Sequence, residues 1–130
     1  MSKIMLSHGG GGEEMNSLIN ETIFRIFDNE ILRESNDSAI LNFGDFGADE
    51  KYSNSANSAP KFNGKLAFST DSFVVTPIFF NGGDIGKIAA CGTINDLAMV
   101  GASAKYLSCS LIIEEGLSVE ELEKVLGSLA

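Results

Sequence analysis

A chain of 130 residues, 44% of them hydrophobic, is the size of one ordinary domain able to bury roughly two-thirds of its unfolded surface. Its 18 Asp and Glu against 9 Lys and Arg leave a net charge of -9, which repels a phosphate backbone and excludes nucleic acid as an expected partner. The short apolar run after Met1 does not read as a secretory signal, and no stretch approaches the roughly 18 apolar residues of a membrane span, so the chain is expected to be cytoplasmic with no membrane partner.

Residues 1–14 end in SHGGGGEE, a run that gives up more backbone entropy on ordering than any other and contributes no side chain to a core. This segment is expected to be a flexible, glycine-rich N-terminal flap. It is either a plain leader before a helix, or a place where bare backbone amides approach a phosphate. No Lys-Ser/Thr pair closes the run, so it is not a P-loop, and Glu13 and Glu14 already put negative charge on the first turn of the next helix.

From Met15 the apolar residues Leu18, Ile19, Ile23, Ile26 and Phe27, with Thr22, fall at three-and-four spacing, which predicts an amphipathic helix of about 14 residues. SAILNF (38–43) reads as a short strand, and residues 44–64, rich in Gly, Ser, Asn and Ala without periodicity, as a surface loop. KLAFSTDSFVVTP (65–77) reads as a buried strand interrupted by polar residues that need partners. A helix over 85–101 follows, with Asp84 as N-cap, Asn95 and Asp96 inside it and Gly101 at its end. AKYLSCSLIIEEG alternates as a strand, and Ser118 with Glu121 forms a capping box opening a last helix toward Ala130. That helix still carries apolar Leu122, Val125, Leu126 and Leu129 at the end of the chain, so the 130 residues are expected to be part of a longer polypeptide. The fold class is α+β, with residues 15–130 forming one domain. Cys91 and Cys109 make no C-x-x-C pair and no cluster with His8, and are expected to be buried, reduced thiols.

Three acids stand where chemistry could use them: Asp37 before a strand, Asp71 within one, and Asp96 inside an apolar helix. Two bare carboxylates about 4 Å apart repel by about 4 kcal/mol at an effective dielectric of about 20, so their convergence would demand a proton or a cation, and Mg2+ is the natural partner of hard oxygens beside phosphates. The plainer reading makes Asp37 a turn residue, Asp71 a strand-end cap and Asp96 an acid solvated at a helix kink.

HGGGG, NDSAIL, LAFSTDSFVVTPIFFNGGDIGKIAACGTINDLAMVGA and YLSCSLIIEEGL together resemble the HypE family of hydrogenase expression/formation proteins. More broadly they resemble the N-terminal domain of the superfamily of aminoimidazole ribonucleotide synthetase, selenophosphate synthetase and thiamine-phosphate kinase. The likeness covers nearly the whole chain except the loop from 44 to 63, which looks like an insertion. It implies a PurM-like N-terminal domain: a mixed, mostly antiparallel sheet with helices on one face, two such sheets pairing into a barrel across a homodimer.

The implied activity is an ATP-dependent carbamoyl dehydration, in which a carbamoyl group on the protein's own C-terminal cysteine is converted to thiocyanate, the source of an iron-bound cyanide in [NiFe] hydrogenase. The implied partners are carbamoyl-transferring and iron-scaffold maturation proteins. By resemblance, Asp71 and Asp96 with Asn95 would hold Mg-ATP, Asp37 would join the metal site, and His8, Gly9, Gly10, Gly11 and Gly12 would form the flap over the nucleotide. The C-terminal domain and its carrier cysteine lie outside these residues, since neither Cys91 nor Cys109 is near a C-terminus, so the chain alone is expected to be inactive. Two other readings compete. One is a dimerisation or partner-binding module without an intact nucleotide site; the other is a different ATP-dependent enzyme of the superfamily. Selenophosphate synthetase loses support because no cysteine precedes Cys91.

Overall fold

Leu122 and Leu126 are four residues apart and share one side of a helix, which makes that side the centre of the packing. The computed structural model describes residues 2–42 and 65–130; the expected loop at 44–64 and the end of the 38–43 strand lie outside the described residues. The last helix spans Val119–Leu129, with Leu126 fully buried and Leu122 nearly so. It starts where the capping box placed it: the Glu121 amide donates to Ser118 Oγ at 3.2 Å and the Ser118 amide to Glu121 Oε2 at 3.2 Å. Ile4 completes the buried cluster, and Leu18, Ile23, Ile26, Phe27, Ile113, Leu117 and Val119 pack around it.

Ile4 reaches the core because the N-terminal residues dock along the segment before the last helix. The Ile4 amide donates to the Leu117 carbonyl at 2.8 Å, Gly116 donates to Ile4 at 2.8 Å, and Val119 donates to Ser2 at 3.0 Å. A 3-10 turn, Leu6–Gly9, follows. Helix α1 (Glu13–Leu18), a π-helical stretch (Ile19–Ile23) and helix α2 (Phe24–Ile26) then run on as the single amphipathic helix that the spacing predicted. Its stripe faces the core, with Thr22 buried in the π-helical stretch. Asn29 caps the short α3 (Glu30–Arg33) by accepting from the Leu32 amide at 3.0 Å.

Strands β1 (Phe79–Phe80) and β2 (Gly83–Asp84) form a small antiparallel hairpin around Asn81-Gly82, where Gly82 takes a φ of +98° open to glycine without strain. Asp84 then caps α4 (Ile85–Met99), accepting from the Lys87 amide at 3.0 Å, as its position predicted. At the other end Gly101 (φ +73°) closes α4: its amide donates to Ala98 at 2.9 Å and that of Ala102 to Leu97 at 3.0 Å, a Schellman pairing. The last helix, α5 (Val119–Leu129), lies against α4 at Gly86, where backbone touches backbone: a Cβ built there would overlap the Val125 carbonyl. Asp84 also binds the two helices together, its buried carboxylate accepting from Ser128 Oγ at 2.6 Å.

The coarse class, helices with a small antiparallel sheet, agrees with the sequence reading; the larger sheet is not formed among the described residues. Among the described residues, 38–42, 65–77 and 104–113 make no strand ladder. The alternation in 65–77 is nevertheless present, with Ala67, Ser69, Phe73 and Val75 partly buried and Phe68 and Val74 exposed. A strand needs a hydrogen-bonded neighbour as well as an alternating pattern, and no neighbour lies among the described residues. The cysteines are a second correction. Cys91 and Cys109 are exposed, not buried, because they sit on α4 and on 104–113, whose outer faces are not covered by any of the described residues. Among the described residues no helix is long and apolar enough to cross a membrane.

Candidate functional site

Segment 65–77 runs antiparallel along α4 and is held to it at two points. Ser69 Oγ donates to Asp96 Oδ2 at 3.2 Å, and the Phe73 ring lies over Gly92, where an added Cβ would fall 2.6 Å from Cζ. The missing side chain at Gly92 therefore lets the ring seat on the helix, and the ring fixes the segment's register. Two residues before Phe73, Asp71 turns back on its own chain and accepts from the Ser72 amide at 2.8 Å.

Between these elements lies a cavity of about 350 Å³, at the small end of the range for ligand sites. Ser69, Thr70 and Asp71 line it from the segment, Thr93, Ile94 and Leu97 from α4, Lys105 to Ser108 from the stretch after Gly101, and Leu129 from the end of α5. The lining is therefore part apolar wall and part hydroxyl, carboxylate and ammonium, a division suited to a ligand with one flat apolar part and one charged part.

Of the residues that the sequence singled out, Asp71 lines the cavity, and Asp96 sits at its edge through the bond to Ser69. Asn95 is exposed on α4 and Asp37 is exposed after α3; neither lines the cavity. The His8–Gly12 stretch is also outside the lining. His8 Nδ1 accepts from the Met5 amide at 3.0 Å, which folds the ring back on the 3-10 turn, and Gly11 takes a φ of +74° before α1 begins. Among the described residues no group of three His, Cys, Asp or Glu side chains converges to hold a metal ion. The donor set at the cavity nevertheless suits Mg2+, which takes one or two carboxylates and completes its shell with phosphate oxygens and water. Asp71 and Asp96, with the Ser69 and Thr70 hydroxyls, are hard oxygen donors of that kind.

Two residues at the cavity carried no weight in the sequence reading. Ser69 was legible, since it precedes Asp71 by two and so shares its face in an alternating segment. Lys105 had no motif to mark it. Burial pushes the Cys109 thiol above its ordinary range, although the residue as a whole is exposed.

Residues 52–130 match the family described as AIR synthase related protein, N-terminal domain. Over 130 residues the chain is 45% identical to the carbamoyl dehydratase HypE of Escherichia coli (strain K12), covering 100% of this chain and 35% of that protein. It is 43% identical to the carbamoyl dehydratase HypE of Rhizobium leguminosarum bv. viciae over 98% of this chain and 31% of that one. The chain thus spans about a third of the length of these curated relatives. Among solved structures, the crystal structure of hydrogenase maturation protein HypE in complex with ATP superposes with a TM-score of 0.78 at 43% identity, covering 96% of this chain and 32% of that one. The chain belongs to the AIR synthase related protein family, matching its N-terminal domain.

Proposed function

We propose that this chain is the ATP-binding N-terminal domain of a cytoplasmic HypE-type carbamoyl dehydratase that serves [NiFe] hydrogenase maturation. The observation that carries the reading is the likeness, over 96% of the chain, to a hydrogenase maturation protein in complex with ATP. The mixed lining of the cavity beside Asp71 and Asp96 supports it.

The apolar wall of Ile94 and Leu97 takes the base, and the Ser69–Asp71 stretch faces the phosphates. Asp71 and Asp96 would hold Mg2+, with Asp37 joining the metal site and Asn95 the nucleotide; the ion would supply neutralisation of phosphate charge. Ser69 orients the Asp96 carboxylate by donating to Oδ2. The His8–Gly12 backbone closes over the phosphates as a flap.

In the complete protein the oxygen of the carbamoyl group on the C-terminal cysteine attacks the γ-phosphorus, ADP leaves, and the nitrogen gives up one of its two protons to form a C=N bond. The nitrogen then gives up its remaining proton as the C–O bond breaks, releasing phosphate and leaving the S-bound cyano group. The original carbamoyl oxygen departs in that phosphate, so net water is lost without free water entering the site. Carbamoyl-transferring and iron-scaffold maturation proteins supply the group and receive the cyanide.

Pairing of two copies is part of the same proposal. Phe68, Val74 (97% exposed) and Ile112 (102%) leave an apolar outer face on 65–77 and 104–113, segments that lack ladder partners among the described residues. A second copy supplies both the missing ladder and the cover, closing a shared barrel. This face also favours the second reading, a pairing module with no working nucleotide site. Asp71→Asn and Asp96→Asn in the full native polypeptide separate the two: each abolishes ATP turnover with the fold and dimer retained if the site works. Wild-type turnover in either variant removes that acid from the site.

A further inference from the structure

Two charged side chains line the cavity, Asp71 and Lys105, and they do not pair with each other. Among the described residues the Lys105 side chain makes no ion pair and no hydrogen bond, as is also true of Lys3, Lys65 and Lys124, but of these four Lys105 alone lines the cavity. An ammonium on a cavity wall with no carboxylate against it is placed to meet an anionic ligand that enters there. The polar part of the same wall, Ser69 to Asp71, supplies oxygens that attract a metal and repel phosphate. Magnesium offsets only part of the charge of a triphosphate, and Asp71 and Asp96 add their own. A further positive group is required for that end of the ligand to be held and not merely tolerated.

We infer that Lys105 is the phosphate-binding residue of this site, its ammonium donating to a non-bridging phosphate oxygen of ATP. The inference rests on the ATP reading given above and deepens it: specificity for a nucleoside triphosphate over a nucleoside comes from the 104–108 stretch, not only from the metal. A hydrogen bond from an ammonium to an anionic oxygen sets the size of the effect at about 10- to 100-fold in affinity.

The test uses the full native polypeptide that carries these residues, titrated with Mg-ATP and separately with adenosine, in wild type, Lys105→Ala and Lys105→Arg. Lys105→Ala is expected to weaken Mg-ATP by about 10- to 100-fold, to leave adenosine unchanged and to keep the wild-type melting temperature, since the side chain is exposed and unpaired. Lys105→Arg is expected to restore most of the ATP affinity. If wild type binds Mg-ATP and Lys105→Ala binds it equally well, the Lys105 assignment falls while the ATP reading stands. Equal losses for ATP and adenosine overturn the assignment too, because they mark a change in cavity shape. A wild-type protein that binds neither ligand overturns the ATP reading itself.

Discussion

Replacing Gly86 with alanine should loosen the junction on which the cavity is built. The new Cβ would overlap the Val125 carbonyl oxygen and lie 3.0 Å from the carbonyl carbon and 3.2 Å from Asp84 Oδ1. Carbon atoms in contact prefer about 3.5–4.0 Å, so α4 and α5 must separate by at least about 0.5 Å, and more to clear the oxygen. A side chain could rotate away; a helical carbonyl cannot, which places the cost at the upper end of the overpacking range, about 3 kcal/mol. Alanine recovers up to about 1 kcal/mol of helix propensity. The net loss is about 2 kcal/mol, and for a chain of this length that lowers Tm by roughly 7 °C. Gly127→Ala on α5 is the control: nothing lies within 4 Å of its added Cβ, so it should hold or raise Tm by a few degrees. Calorimetry or circular dichroism melts measure both. Because α4 provides Ile94 and Leu97 to the cavity and α5 provides Leu129, Gly86→Ala should also weaken ligand binding. A Gly86→Ala melt at or above the wild-type temperature would refute the close backbone contact.

Hydrogen bonds from the Ser118 hydroxyl and amide, in that order, hold the Glu121 carboxyl below the usual glutamate range. A depressed acid contributes stability above its unfolded pKa and loses it as pH falls through the folded one, so Glu121→Gln should lower Tm at pH 7 and the gap should close below about pH 4. A gap that stays constant with pH would rule out a role for the charge. Val74→Asp should convert a dimer to a monomer in sedimentation velocity and speed thiol labelling of Cys109, whose 104–113 segment loses its cover; burial keeps that thiol protonated, so labelling should rise with pH. A wild-type protein that sediments as a well-behaved monomer at micromolar concentration would end the shared-barrel proposal.

The parts of the fold that could be read from sequence are those set by local chemistry. Asp84, Gly101 and the Ser118–Glu121 pair each mark a helix end with a hydrogen bond or a φ angle that few residues can supply, and all three ends lie where they were expected. The stripe of Leu18, Ile23, Ile26 and Phe27 records the core in its spacing alone. The strand readings at 65–77 and 104–113 went further than the described residues bear out, because alternation reports which side chains point inward and not whether a neighbour exists to close the ladder. Cys91 and Cys109 follow from the same gap: small apolar residues are buried only if something packs on their face. At the site, Asp71 and Asp96 are 25 positions apart, and Asp96 is tied to the segment that carries Asp71 through Ser69, a contact made by the docking of one segment on a helix. Lys105 reaches the cavity wall only because the chain turns back at Gly101, a geometric fact that no local pattern announces.

A two-dimensional amide NMR titration of the 15N-labelled chain with Mg-ATP reads whether the cavity between 67–71, α4 and 104–108 receives the nucleotide. Saturable shifts are expected to concentrate at Ser69–Asp71, Thr93–Leu97 and Lys105–Ser108, with smaller ones at His8–Gly12 as the flap closes. Saturable shifts confined to other surfaces, or none at millimolar nucleotide, would contradict nucleotide binding there.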